Sequence, residues 1–503
     1  MRTSKSSSTV GYFFFILLFL TVSAACDLFT GGRNSEVAGD EGVPTAEFIA
    51  GVGKQETTPF QQPTTEEERE LNQMPVIPDR PLSSVGPWLV FSTEGGIWAV
   101  NPDGSGLTRL TGTPNMKLRL LAEGAAPSGG KLAYITSQDV YFQLALNMIT
   151  LPEGKVEVIT PLVSNQWEPP KDLFSDHDLA QMARAIAEQP SLAWSNDGER
   201  LAFMGAIEGR TSDLYVYDHR DKSITQLTDG PSQGFHPVWS PDDEYILHFG
   251  ASTFGVGAGY MMDGVWAAKA DNTSVLTLYD PGNSGAEEFR GWLDDSTFVV
   301  SSWNPSCGSN MLRTYDIFTH VEKVLWEHCF TNAAFWPEIG SIAITIDKYA
   351  ARDNPEGLQG VLFFKQGSAT PEQVLDGNIF NVVFSPEAYA FMTYLSPDVY
   401  LIASNGAVLR IEAITGNLPI TGYSNMEFAW YGSEGLWVNV PIDPSKPNRK
   451  IFEGKVIYVT WDLGSEYLLF FTDSAFYVAK APEFIPVMVS GQLSTKDVTW
   501  VMP

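Results

Sequence analysis

Cysteine is scarce in this chain, three in 503 residues, and histidine is hardly commoner at six. No Cys-x-x-Cys or His-x-x-x-His spacing joins them, so zinc-type ligation has no local basis. Positive charge is short too: 31 Lys plus Arg stand against 60 Asp plus Glu, a formal charge of -29. Such a polyanion repels phosphate backbones, which argues against nucleic acid as a partner, and the same acidity favours solubility. Apolar runs are short except for one, Val10 to Ala25, whose 16 residues fall below a spanning helix, which needs roughly 20. What the chain does have is 44% hydrophobic and 12% aromatic residues, enough for a large core in one repeat domain or several ordinary ones.

The apolar run has the anatomy of an export signal. Arg2 and Lys5 precede it, GYFFFILLFL (11–20) forms its centre, and small residues lead to a cysteine in SAAC (23–26). This end resembles the lipobox of bacterial lipoproteins, with Ser23 standing where that box usually has Leu, Val or Ile. The resemblance implies a signal peptide over 1–25, cleavage after Ala25, and a diacylglyceryl group on the thiol of Cys26. The mature chain would then be exported and anchored to the bacterial cell membrane, facing outward or the periplasm, at a charge of -31 (29 minus 60). An ordinary cleaved signal with a chance cysteine is the alternative.

Lipidation leaves an even pair, Cys307 and Cys329, 22 positions apart in loop-like segments. In an oxidising compartment they are expected to form one disulfide, closing a loop that stabilises by roughly 3 kcal/mol in a chain-entropy estimate. Two separate buried thiols are the alternative. From Cys26 to Ser84 the composition turns to Gly, Thr, Pro and Glu, as in TPFQQPTTEEERELNQMP, and apolar periodicity stops. That reads as a flexible acidic tether holding the rest away from the membrane.

From residue 85 to 503 the chain repeats itself. SLAWSNDGERLAFMG (191–205) and HPVWSPDDEYILHFG (236–250) align without a gap, and weaker copies begin at Phe289, Ala333, Asn381, Glu427 and Tyr458. APSGGKLAYITS, from Ala126, is a degraded early copy. The steps from Trp194 to Trp239, Trp292, Trp336, Phe384 and Trp430 are 45, 53, 44, 48 and 46 residues. Each copy is a short strand ending on an aromatic, a turn of Ser, Pro or Asn, Asp and Gly, and an alternating strand. A second half-unit, GIWAVNPDGSGLTRLT from Gly96 and DLYVYDHRDKSITQLT from Asp213, supplies two further strands. Periods of this size with four short strands predict an all-β propeller of four-stranded blades.

These segments resemble the Trp-Ser-Pro-Asp-Gly repeats of TolB-like and WD-repeat-like β-propellers, closely between Ser191 and Gly250 and loosely elsewhere. The resemblance implies an exported binding or scaffolding domain; some such propellers are joined to peptidases. KDVTWVMP (496–503) has a first-strand pattern with nothing after it, and GPWLVFSTEGGIWAV starts on later strands, so the C-terminal strand is expected to close the ring. Counting every first-strand copy gives up to nine, yet Trp430 to Trp461 is only 31 residues. Eight blades are therefore expected, with seven or six as alternatives. SDHDLAQMARAIAEQP (175–190) carries Leu179, Met182, Ala183 and Ile186 at helical spacing with Ser175 or Asp176 as N-cap, a helical insertion near 172–189.

No catalytic, cofactor or metal residues emerge. His177, in DHD (176–178), sits at a helix start where acids are favoured anyway. Asp242, Asp243 and Glu244 form an acid triplet, flanked by His236 and His248, that reads either as a site or as a turn. GPSQG (230–234) matches the Gly-x-Ser-x-Gly pattern at Ser232, but between two blades rather than between a strand and a helix. NPDGSG (101–106) has too few carboxylates for a dedicated calcium loop. The expected function is that of a lipid-anchored envelope propeller binding or scaffolding a protein, peptide or glycan, without catalysis of its own. The alternative is a polysaccharide hydrolase or lyase whose carboxylates gather in the propeller channel.

Overall fold

Short alternating strands punctuated by polar turns can bury their apolar faces only by stacking sheet against sheet. The computed structural model describes residues 77–503 other than 94–95, 113–120, 138–142, 164–177, 189, 209–210, 231, 255–259, 280–286, 305, 423–426, 441–447 and 496. Cys26, the signal segment, most of the tether and His177 lie outside the described residues. Among the described residues nine antiparallel sheets follow one another, eight of four strands and one of three. Sheet 4 is representative, with Gln233–Trp239, Tyr245–Phe254, Tyr260–Lys269 and Val275–Tyr279 pairing in sequence order. The last strands form exposed edges that carry Val156, Val158, Ile224, Val275 and Val408.

Sheet 1 takes its first strand from the far end of the chain. Val498–Val501 pairs with Trp88–Thr93, Trp88 lying opposite Val501 and Phe91 opposite Val498. Asp497 secures the junction: its carboxylate accepts from Ser92 Oγ and from the Leu121 N–H, each at 3.1 Å. Leu121–Gly124 is a single helical turn packed beside the Lys131–Thr136 strand of sheet 2, the three-stranded sheet. Residues 80–83 lie on sheet 1, where Arg80 pairs with Asp103 and Asn101 Nδ2 donates to the Pro81 carbonyl at 2.9 Å. The NPDGSG turn is thus an anchoring point for the preceding segment.

The apolar cores run between sheets. Trp88, Leu132 and Ile149 join sheets 1 and 2; Phe203, Trp239 and Ile246 join 3 and 4; Leu247 and Phe298 join 4 and 5. Further cores join 5 to 6, 6 to 7, 7 to 8 and 8 to 9. Leu89 and Phe91 of sheet 1 pack with Leu469, Phe471 and Phe476 of sheet 9. A repeated hydrogen bond accompanies these cores. The indole N–H of Trp239 donates to Ala193 O at 2.8 Å, that of Trp194 to Gly124 O at 2.8 Å, and that of Trp461 to Ile420 O at 3.1 Å, each acceptor in the preceding repeat. Burying an indole of about 200 Å² at about 25 cal/mol per Å² stabilises by on the order of 5 kcal/mol before entropy, against roughly 1 for the bond. Burial drives the seam, and the bond adds to it at these three indoles, whereas Trp292 and Trp336 are buried without an N–H acceptor among the described residues.

Nine sheets overturn the expectation of eight blades, with seven or six as alternatives. The error came from Trp430. It lies on Phe428–Gly432, the second strand of its sheet, and the first strand is the two-residue Ile420–Thr421, which has no aromatic. Thr421 to Trp461 is 40 positions, an ordinary step, so the 31-residue interval never separated two equivalent strands. The helical insertion is observed as Asp178–Glu188, with Met182, Ala183 and Ile186 buried.

Val501 is fully buried against sheet 1. Val501→Asp places an unpaired charge there and is expected to lower stability by roughly 3 kcal/mol or more in urea melts. An unchanged midpoint would show that the terminal strand contributes little.

Candidate functional site

The acid triplet resolves into two kinds of turn contact. Asp242 serves its own turn, its carboxylate accepting from Ser240 Oγ at 2.5 Å and from the Glu244 N–H at 3.1 Å. Asp197 does the same one sheet earlier, with Ser195 Oγ at 2.5 Å and the Glu199 N–H at 2.9 Å. Partial burial pushes its carboxyl up, but the Ser195 and Glu199 bonds and the Arg200 charge together hold it below the usual range. Asp243 reaches across to the neighbouring turn. At φ +59° it occupies the place of Gly198, and its carboxylate accepts from Asn196 N at 2.7 Å, Asn196 Nδ2 at 2.8 Å and Asp197 N at 3.1 Å. Arg200 completes the link, donating to Asp243 O at 2.9 Å while its guanidinium lies 4.7 Å from the Trp239 ring centroid. Lys131 repeats that contact one sheet back, donating to Gly198 O at 2.8 Å beneath Trp194.

The histidines go separate ways. His248 is fully enclosed and stacked on Trp266 at 6.0 Å, and burial pushes its pKa down to about 4. Gly250 makes room for that indole, since a Cβ there would lie 2.2 Å from the ring. His236 turns through a bulge at φ +52° and meets Phe249 edge-on. Ser232 leads directly into the Gln233–Trp239 strand, where a nucleophile elbow needs a helix. The nearby Gly230 N–H donates to buried Asp213 at 2.8 Å, and burial raises that carboxyl despite bonds from Gly230, Thr211 and Thr228.

Cys307 and Cys329 form a disulfide, with Cα atoms 5.8 Å apart. Together with Asp353 they make the one trio of metal-capable side chains among the described residues, and the bonded sulfurs leave Asp353 as its free ligand. On the first strand of sheet 5, Arg290 pairs with Glu288 and donates to Ser301 Oγ at 2.9 Å and Ser309 Oγ at 2.7 Å. Burial lowers this guanidinium, opposed by the Glu288 charge. Glu288, on the first strand of sheet 5, and Asp497, just before the terminal strand, thus both have local partners.

Antiparallel pairing places first-to-second and third-to-fourth turns at one end of every sheet, and the other connections at the opposite end. The elaborations gather at that second end. The Asp178–Glu188 helix connects sheets 2 and 3 there and packs Ala185 against Phe235 and Ala251. Sheet 4 extends its central strands to ten residues each, Tyr245–Phe254 and Tyr260–Lys269. Sheet 5 extends Thr297–Asn304 and Gly308–Asp316, tied by the disulfide to the connection leading into sheet 6. Sheet 6 inserts 13 residues between Ile346 and Gly360, whereas sheets 7 and 8 turn in two, after Leu395 and after Gly432. This loop-bearing end is the candidate site. The repeat pattern did not reveal it, because insertions are what repeats lack; Asp347, Pro355 and Gly357 are the local turn signals within the sheet 6 insertion.

No family model matches the chain. Over 70 residues it is 39% identical to the uncharacterized peptidase YuxL of Bacillus subtilis, which covers 14% of the chain and 10% of that protein. The chain thus spans about a tenth of the length of this curated relative. A eukaryotic initiation factor superposes with a TM-score of 0.51 at 12% identity, over 83% of this chain and 99% of that one. Dipeptidyl peptidase 4 of Porphyromonas gingivalis gives 0.48 at 13% identity, over 75% of this chain and 60% of that one. Likeness at such identities shows the fold alone, a β-propeller.

Two substitutions test these contacts. Asp243→Ala removes three acceptor bonds at a left-handed position and is expected to lower stability by roughly 1–3 kcal/mol, with Asp243→Gly recovering part of it; equal midpoints in denaturant for Ala and parent would show the bridge idle. For His248 the folded pKa of about 4 lies below the unfolded value, which is about 6.5, so the unfolded chain takes the proton first as pH falls. Its contribution is intact above about pH 6.5 and lost through about pH 4, roughly 3 kcal/mol in all. His248→Gln should flatten that part of the pH–stability curve, and an unaltered slope between pH 7 and 4.5 would refute the assignment.

Proposed function

We propose that this chain is a lipid-anchored propeller of the bacterial cell envelope that binds a protein partner through its loop-bearing end, without catalysis of its own. The observation that carries the reading is the one-sided elaboration: helix, long hairpins, disulfide and inserted loop all sit on connections at one end. Loops on a rigid scaffold are where propellers place recognition, and the disulfide fixes two of them relative to each other. Anchoring rests on the Cys26 lipobox, and the acidic tether gives the folded part reach from the membrane. Peptidase activity belongs to the relative that bears the name. It does not pass to this chain through a match to a tenth of that protein.

Photo-crosslinkers at Ser306 and Asp376, on the loop-bearing end, are expected to trap an envelope protein in intact cells. Crosslinkers at Lys222 and Asp271, on the turns of the other end, are not. Equal trapping from both ends, or none from either, would defeat the proposal. Cys26→Ala should move the protein from membrane to soluble fractions, and retention in the membrane would remove the anchor.

A further inference from the structure

The insertion in sheet 6 is longer than its strands require, and it is held rigidly from below. Asp347 accepts from the Tyr349 and Ala350 N–H groups at 3.0 and 2.8 Å, starting a 3-10 turn over Ala350–Asp353. Buried Asn354 donates through Nδ2 to Cys329 O at 2.7 Å and Ala350 O at 2.8 Å, seating the loop on the disulfide-bonded segment. The upper surface is left to Lys348, Tyr349 and Arg352, all exposed. The Lys348 ammonium lies 5.0 Å and the Arg352 guanidinium 5.4 Å from the Tyr349 ring centroid. The next connection is drawn alongside, with Lys348 N donating to Asn378 Oδ1 at 2.9 Å and Thr345 Oγ1 to Phe380 O at 3.4 Å. Phe380 is 51% exposed and Tyr349 48%.

Within the insertion Lys348 and Arg352 are the two basic residues, set among Asp347, Asp353 and Glu356. Among the described residues neither Lys348 nor Arg352 has an ion-pair partner; Asp347 is committed to its turn, and the exposed Asp353 carboxylate is turned toward the disulfide, 3.5 Å from Cys329 Sγ. We infer that the Lys348–Tyr349–Arg352 cluster and Phe380 form a docking site for an acidic, aromatic-bearing peptide segment of a protein partner. This rests on the loop-bearing end being the binding face. Carboxylates would pair with the two cations, which the Tyr349 ring holds in place, and an aromatic or apolar side chain would cover Phe380. Tyr and Arg are the residue types that dominate protein interfaces.

The test uses the full chain and a random glutamate–tyrosine copolymer, with polyglutamate and polygalacturonate of similar length as comparators. The copolymer is expected to bind most tightly, and increasingly weakly as salt rises. Lys348→Gln with Arg352→Gln should weaken it at least ten-fold at an unchanged melting temperature, and Phe380→Ala should weaken the copolymer but not polyglutamate. No copolymer binding, binding unaltered in the double variant, or polygalacturonate binding as tightly as the copolymer would each overturn the inference. Partner crosslinks from Ser306 and Asp376 that persist alongside such a result would leave the broader reading standing. Their absence would remove that reading instead.

Discussion

No sheet in this molecule buries its own apolar faces. Each presents two of them, and only a neighbour on either side takes them out of water. The lateral seam is therefore the contact on which stability, spacing and display all depend. Its recurring part is an indole or phenyl ring at the end of a first strand; at Trp194, Trp239 and Trp461 a carbonyl of the preceding repeat accepts the N–H, and at Trp194 and Trp239 a cation lies over the ring. Trp239 with Ala193 and Arg200, and Trp194 with Gly124 and Lys131, show the arrangement most fully. At Trp292 and Trp336 the indole is buried without an acceptor for its N–H among the described residues, and where Phe384 takes the indole's place the rings still meet, those of Trp336 and Phe384 lying tilted at 4.9 Å.

The seam explains what was readable in the sequence and what was not. Aromatic ends, Asp-rich turns and alternating strands are local, so the repeats from Ser191 to Gly250 announced the architecture directly. The turn lattice of Asp197 and Asp242 was legible for the same reason. Asp243 was legible only as a turn residue; its reach to Asn196 and Asp197 depends on how two sheets stack. Sheet number was misjudged where the rule was applied to the wrong strand. Trp430 lies in the middle of a second strand and donates to Asn439 within its own sheet, so it carries the look of the repeat without its place. Sheet 2, with a helical turn beside its strands and no tryptophan at its start, shows how far a repeat can degrade while its neighbours still enclose it.

Function was less legible because it lies in departures from the repeat. The extended hairpins of sheets 4 and 5, the bonded cysteines and the 13-residue insertion of sheet 6 are not needed to stack sheets. They fall on one end and on neighbouring sheets, so among the described residues that end is the built face of the molecule. The acidity of the chain as a whole makes the pair Lys348 and Arg352 stand out on that built face. A charge pattern of this kind discriminates among partners more than it raises affinity.

Hydrogen exchange of the full chain, free and bound to its trapped envelope partner, tests the assignment of the built face most directly. Slowed exchange at 347–359 and 376–381, with the turns at 219–222 and 270–274 unchanged, is the result expected. Protection confined to those turns or to the exposed outer strands, with 347–359 exchanging as in the free protein, would contradict it.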